Sequence, residues 1–288
     1  MKPRSTLACL ATATALILAG CGGGSSGSDN GSAFGDCKVY GKKGSLSLKP
    51  ANPGVLTVET TLPSPGWWKG TSPDSITGGY EYCLAANLAH RAGLDKVKVV
   101  NISFGALVSG KGKDYDIALA QTSITPERKK VVEFSEPYFD SDIGVIASAD
   151  SDVSADNIQS KKLAVQVGTT SVKFVKEEIK PERKPRVFDD TNAMVTAVAS
   201  GQVDAALQDT AIMLGFADKS GGSLKVLGQY KSGDHYAAIY PKGSPNAKAF
   251  DKAIKAMRKD GTLDKLSAKW LGPELGGDPN DVPVWQTP

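Results

Sequence analysis

Apolar positions along this chain recur with two periods, and the switches between them mark out its elements. "GVLTVET" (54–60) and "KVKVVNIS" (96–103) are short runs rich in β-branched residues, which predicts strands. Between them, "GYEYCLAANLAHRAGL" (79–94) sets Leu84, Leu88 and Ala92 on one helical face, with Gly93 as its stop. Further strands are predicted at 116–120 (DIALA), 142–148 (DIGVIAS), 162–168 (KLAVQVG), 186–188 (RVF) and 203–207 (VDAAL). Helices are predicted from "VGTT" to about Ile179, after Asp190, over 245–259 and over 262–270; Phe250, Ile254 and Met257 share a face of the third. Strands alternating with helices predict an α/β protein with largely parallel sheets. The last stretch, "PELGGDPNDVPVWQTP", is rich in Pro and Gly and predicts an extended arm.

Residues 1–20 stand outside this pattern. A basic start, MKPR, precedes an apolar run over 7–20 that is too short to span a bilayer and fits a signal peptide. It closes with "LAGC", which resembles the lipobox of bacterial lipoproteins; the resemblance implies cleavage before Cys21, acylation there and an outer membrane-surface location. The Gly/Ser-rich stretch that follows predicts a flexible tether over 21–37. With Cys9 in the leader and Cys21 at the lipid site, Cys37 and Cys83 remain. In an oxidising compartment a disulfide between them is expected, two separate buried thiols being the alternative. His90 and His235 show no metal-ligand spacing, so neither a metal nor a cofactor is expected.

Net charge is +3, but Lys2 and Arg4 lie in a leader that has no acidic residue, so the rest is nearly neutral. That gives no electrostatic case for nucleic acid as a partner. At 40% hydrophobic and 23% charged residues, the chain can bury an ordinary globular core.

One cation is oddly placed. In "TSITPERKK", Thr125 reads as a helix N-cap, Pro126 as the first helical residue, and Arg128 falls in the first turn, where a helix dipole disfavours a cation. A solvent-facing Arg paired with Glu127 or Glu133 is the plain alternative. The strand DIALA, however, runs into a polar link (121–124) and then this helix start. In open α/β sheets ligands sit beyond the carboxyl ends of strands, and an Arg fork there suits a carboxylate.

"GYEYCLAANLA", "DIALAQTSITPERKKVVEFSEPYF", "VGTT", "VDAALQDT" and "AFDKAIKAMRKDGTLDKLSAKWLG", in that order, resemble the family 3 extracellular solute-binding proteins, the polar amino-acid receptors of ABC importers. The resemblance runs over 55–272. It implies the two-lobed periplasmic-binding-protein type II fold, with two crossover strands near 138–142 and 234–238. Lobe 1 is then 38–140 plus 237–272, lobe 2 is 141–236, and 273–288 is the arm. A monomer is expected, with an ABC permease as partner and membrane lipid bound through Cys21.

Residue by residue, the resemblance implies that Arg128 grips a substrate α-carboxylate and that Ser123 offers hydroxyl and amide to it. Thr169 and Thr170 resemble donors to the same carboxylate from the second lobe. Gln121 takes the place whose backbone carbonyl meets the α-ammonium, and Asp209 that of the carboxylate receiving it; a helix N-cap is the alternative for Asp209. Phe104 matches an aromatic packed on the ligand's side chain. One of Trp67 and Trp68 is expected to line the pocket, or the pair to face the permease. The family helix motif usually has a second acid where this chain has Cys83.

Thr60, Gln121, Gln166 and Gln208 fall at or near the side-chain end of the family pocket and none is charged, which favours a neutral polar ligand such as glutamine over arginine or glutamate. Glu59, Lys69 and Lys173 are the charges nearby in sequence. A receptor for a signalling partner would use the same site. The fold also hosts dehydratases and lyases, which need a general acid or base such as Glu59 in the cleft. No catalysis is expected.

Overall fold

The structure, a computed structural model, describes residues 33–288. The signal peptide (1–20), Cys21 and residues 22–32 of the tether lie outside the described residues. Two five-stranded sheets carry the fold. In the first, β1 (Val55–Thr60) lies parallel between β2 (Lys96–Asn101) and β3 (Ile117–Ala118), and two short antiparallel strands, β10 (Ile239–Tyr240) and β4 (Glu133–Phe134), complete the order β2-β1-β3-β10-β4.

In the second sheet β6 (Leu163–Gln166) lies parallel between β7 (Arg186–Phe188) and β8 (Ala205–Asp209). The long β5 (Phe139–Ser148) runs antiparallel between β8 and the 13-residue β9 (Leu224–Tyr236). Both sheets are therefore mixed, not largely parallel. The chain leaves the first sheet after β4 and returns after β9, and the strand that enters each sheet at these passages, β5 in one and β10 in the other, runs against its neighbours. At the passage β5 and β9 pair with each other, Phe139 opposite Tyr236 and Asp140 opposite His235. Sequence periodicity missed β9, because Gly228 and Gly233 interrupt its alternation.

Three helices cover the first sheet: α1 (Tyr80–Arg91), α7 (Ala247–Lys259) and α8 (Thr262–Glu274). The disulfide joins Cys37 to Cys83 in α1 across 46 residues. Asn87, one turn further on, accepts from the Tyr40 amide at 2.7 Å and donates to the Lys38 carbonyl. Phe34 and Cys37 belong to the same buried cluster as α1. The expected tether over 21–37 thus ends sooner: an apolar ring and a covalent bond anchor its last residues. In the second lobe, α4 (Thr170–Phe174), α5 (Thr191–Ala199) and α6 (Thr210–Lys219) follow β6, β7 and β8. Asp190 caps α5, accepting from the Ala193 amide at 2.8 Å.

Beyond α8 the arm crosses to the second sheet. The Gln229 amide donates to the Pro283 carbonyl and the Trp285 amide to the Gln229 carbonyl, both at 2.8 Å. Gln229 Nε2 donates to the carbonyls of Pro279 and Val282. The Trp285 indole lies on Gly228 so closely that a Cβ there would sit 2.1 Å from it, which only glycine permits. The arm thus pairs with the outer edge of β9, covering backbone groups that an edge strand would leave open.

Candidate functional site

A cleft opens where the links after β1, β3, β6 and β8 face one another between the sheets. Arg128 enters it from α3 (Pro126–Lys129), a single turn capped by the Thr125 hydroxyl, which accepts from the Arg128 amide at 3.2 Å. Four residues make little dipole, so the electrostatic conflict expected at this helix start is small. Burial is the larger strain. The side chain is 7% exposed, and its guanidinium donates to two carbonyls, Ser123 at 2.5 Å and Gly168 at 2.8 Å, while lying over the Phe104 ring. Phe104 begins the short helix α2 (Phe104–Val108). Ser123 belongs to the β3–α3 link and Gly168 to the β6–α4 link, so Arg128 joins the two sides. Desolvation lowers its pKa, although Asp209 and Asp234 oppose the effect. Among the described residues no carboxylate lies within ion-pair distance of it.

Asp209 ends β8 on the opposite side and is 6% exposed. One oxygen accepts from the Tyr236 hydroxyl; the other, Oδ1, has no partner among the described residues. Burial pushes its pKa up to about 7 despite the tyrosine bond and the field of Arg128. Asp209 stands at the N-cap position of α6, yet its side chain makes no capping bond, so the helix does not account for it.

Thr169 and Thr170 lie at the start of α4. The Thr169 hydroxyl donates to the Gln166 carbonyl at 2.8 Å and that of Thr170 to Asp234 at 3.0 Å. Deeper in, the Thr191 hydroxyl donates to Gln166 Oε1 at 2.7 Å and stands 3.3–3.4 Å from the Gln208 amide. Ile212 and Phe216 of α6 and Pro63 of the β1–α1 loop add apolar walls. Arg128, Ser123, Gln121, Thr169, Thr170, Asp209, Phe104, Gln208 and Gln166 therefore line one cleft.

Trp67 and Trp68 do not. Both are buried beneath it, 0% and 1% exposed. Trp67 packs edge-on against Tyr80, Phe139 and Tyr236, and the Trp68 indole donates to Glu81 at 2.8 Å. The loop is tied to the core by these rings, which local composition does not reveal. Thr60 is likewise fully buried, and Thr61 and Ser64 of the same loop reach the cleft instead. Glu59 faces elsewhere, packed against Gly112 and accepting from the Lys113 amide at 3.2 Å. Lys69 pairs with Asp36, and Lys173 is exposed beside Glu177. Sequence reasoning also passed over Glu81 and Thr191, whose partners lie 13 to 57 residues away.

The cleft thus holds a buried cation and a buried, half-satisfied carboxylate on opposing sides, with uncharged hydrogen-bonding groups beyond them. Such a surface complements a small zwitterion. Residues 70–273 match the family model for bacterial extracellular solute-binding proteins, family 3. The L-cystine-binding protein TcyJ of Escherichia coli K12 is 30% identical over 206 residues, covering 70% of this chain and 77% of the relative. The ABC transporter glutamine-binding protein GlnH of Bacillus subtilis 168 is 30% identical over 282 residues, covering 94% and 98%. An ancestral arginine-binding protein solved with glutamine superposes with a TM-score of 0.68 at 31% identity, covering 77% of this chain and 99% of that one.

Proposed function

The chain belongs to the bacterial extracellular solute-binding proteins of family 3, and on that premise we propose that it captures a neutral polar L-amino acid for an ABC importer. One observation carries the reading: Arg128 and Asp209 are both buried, and neither has an ionic partner in the described chain. An unpaired buried charge costs several kcal/mol, roughly, and an α-carboxylate and α-ammonium between the lobes would relieve both costs at once. Ligand binding then favours the closed arrangement, because each lobe contributes one charge.

The lobes are proposed as 38–140 plus 237–272 and 141–236. Gln166, Thr191 and Gln208 offer hydrogen bonds without charge at the side-chain end. A guanidinium there would want a carboxylate, and the one carboxylate among the described lining residues is Asp209, already matched to the ammonium. The relative from B. subtilis is named for glutamine, which agrees with this side chain. The proposal extends to a monomer anchored outside the membrane through Cys21 and to binding without catalysis. A thermal-shift panel over the common amino acids and cystine tests it. Neutral polar ligands should give the largest shift. A clear preference for arginine would overturn the side-chain assignment, and no shift with any of them would overturn the site.

A further inference from the structure

Gln121 adopts φ +45°, a left-handed conformation that a side chain other than glycine's seldom takes. It sits in the polar link that also carries Ser123, the carbonyl partner of Arg128. One carboxylate holds it. Glu81 of α1, 0% exposed, accepts from the Gln121 amide at 2.8 Å through Oε1 and from the Gln121 side-chain amide through Oε2. The same two oxygens accept from the Tyr138 hydroxyl and from the Trp68 indole. Ser64, a cleft residue, donates to the Gln121 side-chain oxygen Oε1 at 2.8 Å. Glu81 thereby ties together the loop after β1, the link after β3 and the segment entering β5, with no basic residue paired to it among the described residues.

A carboxylate is acceptor-only, so it can take all four donors; an amide in its place would turn an N–H₂ group against at least one of them. We propose that Glu81 is the positioning residue of the cleft. By binding both amide groups of Gln121 it fixes the left-handed turn that aims the 121–123 backbone at the ligand before the ligand arrives. Substrate positioning thus begins in α1, two residues from the disulfide at Cys83. The inference rests on the proposed amino-acid site.

The test is a double-mutant cycle on the mature protein, with affinity for L-glutamine, L-cystine and L-arginine read by isothermal titration. Glu81→Gln should weaken the best of the three by about tenfold or more, because the competent turn becomes a minor conformer. Gln121→Gly adopts φ +45° without strain, so adding Glu81→Gln to it should cost less than threefold. A role confined to core stability would give equal losses in both backgrounds. In wild type the Trp68 indole proton should resonate downfield and shift in Glu81→Gln. Should Glu81→Gln not fold, Glu81→Asp, which keeps the charge and shortens the reach, enters the same cycle with the same expectation. If wild type binds one of the three and Glu81→Gln binds it equally well, or if the losses simply add, the inference falls while the amino-acid site stands. If wild type binds none, both fall.

Discussion

The phenol of Tyr236 donates to one oxygen of Asp209 at 2.7 Å, and the other oxygen of that buried carboxylate receives nothing from the described chain. Burial raises its pKa to about 7. A raised carboxyl pKa means that the folded, ligand-free protein keeps a proton the unfolded chain would lose, so its stability falls as pH rises from about 4 through 7. An ammonium ligand needs the ionised form, so binding below pH 7 must expel that proton. Affinity should drop as pH falls from 7 to 5.5, approaching tenfold per unit. Titration calorimetry at pH 6 in two buffers of different ionisation enthalpy should show proton release in wild type, most of it lost in Asp209→Asn. Equal heats in both buffers for wild type would refute the assignment.

Arg128→Ala should weaken binding by about 2–5 kcal/mol, the usual cost of removing one partner of a buried charge pair, or some thirty- to several-thousand-fold. Its two partners are main-chain carbonyls of the β3–α3 and β6–α4 links rather than core side chains, so circular dichroism should show an intact fold. Arg128→Lys should recover part of the loss, since an ammonium keeps the charge but not the planar fork. Near-wild-type affinity in the alanine variant would reduce Arg128 to a bridge between two loops.

The side-chain assignment makes a separate prediction. Gln166→Glu places a carboxylate at the polar end while keeping the oxygen that accepts from Thr191. The variant should gain at least tenfold in preference for arginine over glutamine, about 1.4 kcal/mol. A panel in which the ranking does not change would show that Gln166 does not face the ligand's side chain.

Removing the disulfide should act on stability rather than on affinity. It closes 46 residues, for which the chain-entropy account gives about 3–4 kcal/mol. Cys37→Ser with Cys83→Ser should lower the denaturation midpoint by a corresponding amount and leave ligand selectivity unchanged. A change in selectivity would mean that the bond also sets the position of α1.

One charged pole of the cleft was legible because it follows a strand that announces itself: DIALA is a short buried run, and Arg128 stands past its end, where the α/β architecture puts ligands. The other, Asp209, came only from the resemblance of VDAALQDT to the family. What lies behind the cleft was not legible. Glu81 reads as one more polar position in a helix; its meaning comes from Tyr138 and Gln121, which the fold brings to it from 57 and 40 residues away. Trp67 and Trp68 sit between Gly66 and Gly70, in a loop whose composition predicts surface, yet rings from three other segments enclose Trp67. Thr191 looked like an ordinary helix start because its two glutamine partners belong to different strands.

The arm that pairs with β9 leaves the two described ends of the chain on different lobes. Phe34 is buried with α1 on one, and the Trp285 ring stands against Tyr230 on the other. Any change in the angle between the lobes is therefore also a change in the distance between these ends. A donor and an acceptor fluorophore, one before Phe34 and one after Trp285, would turn that hinge into an optical gauge, making the molecule a ready chassis for a genetically encoded amino-acid reporter.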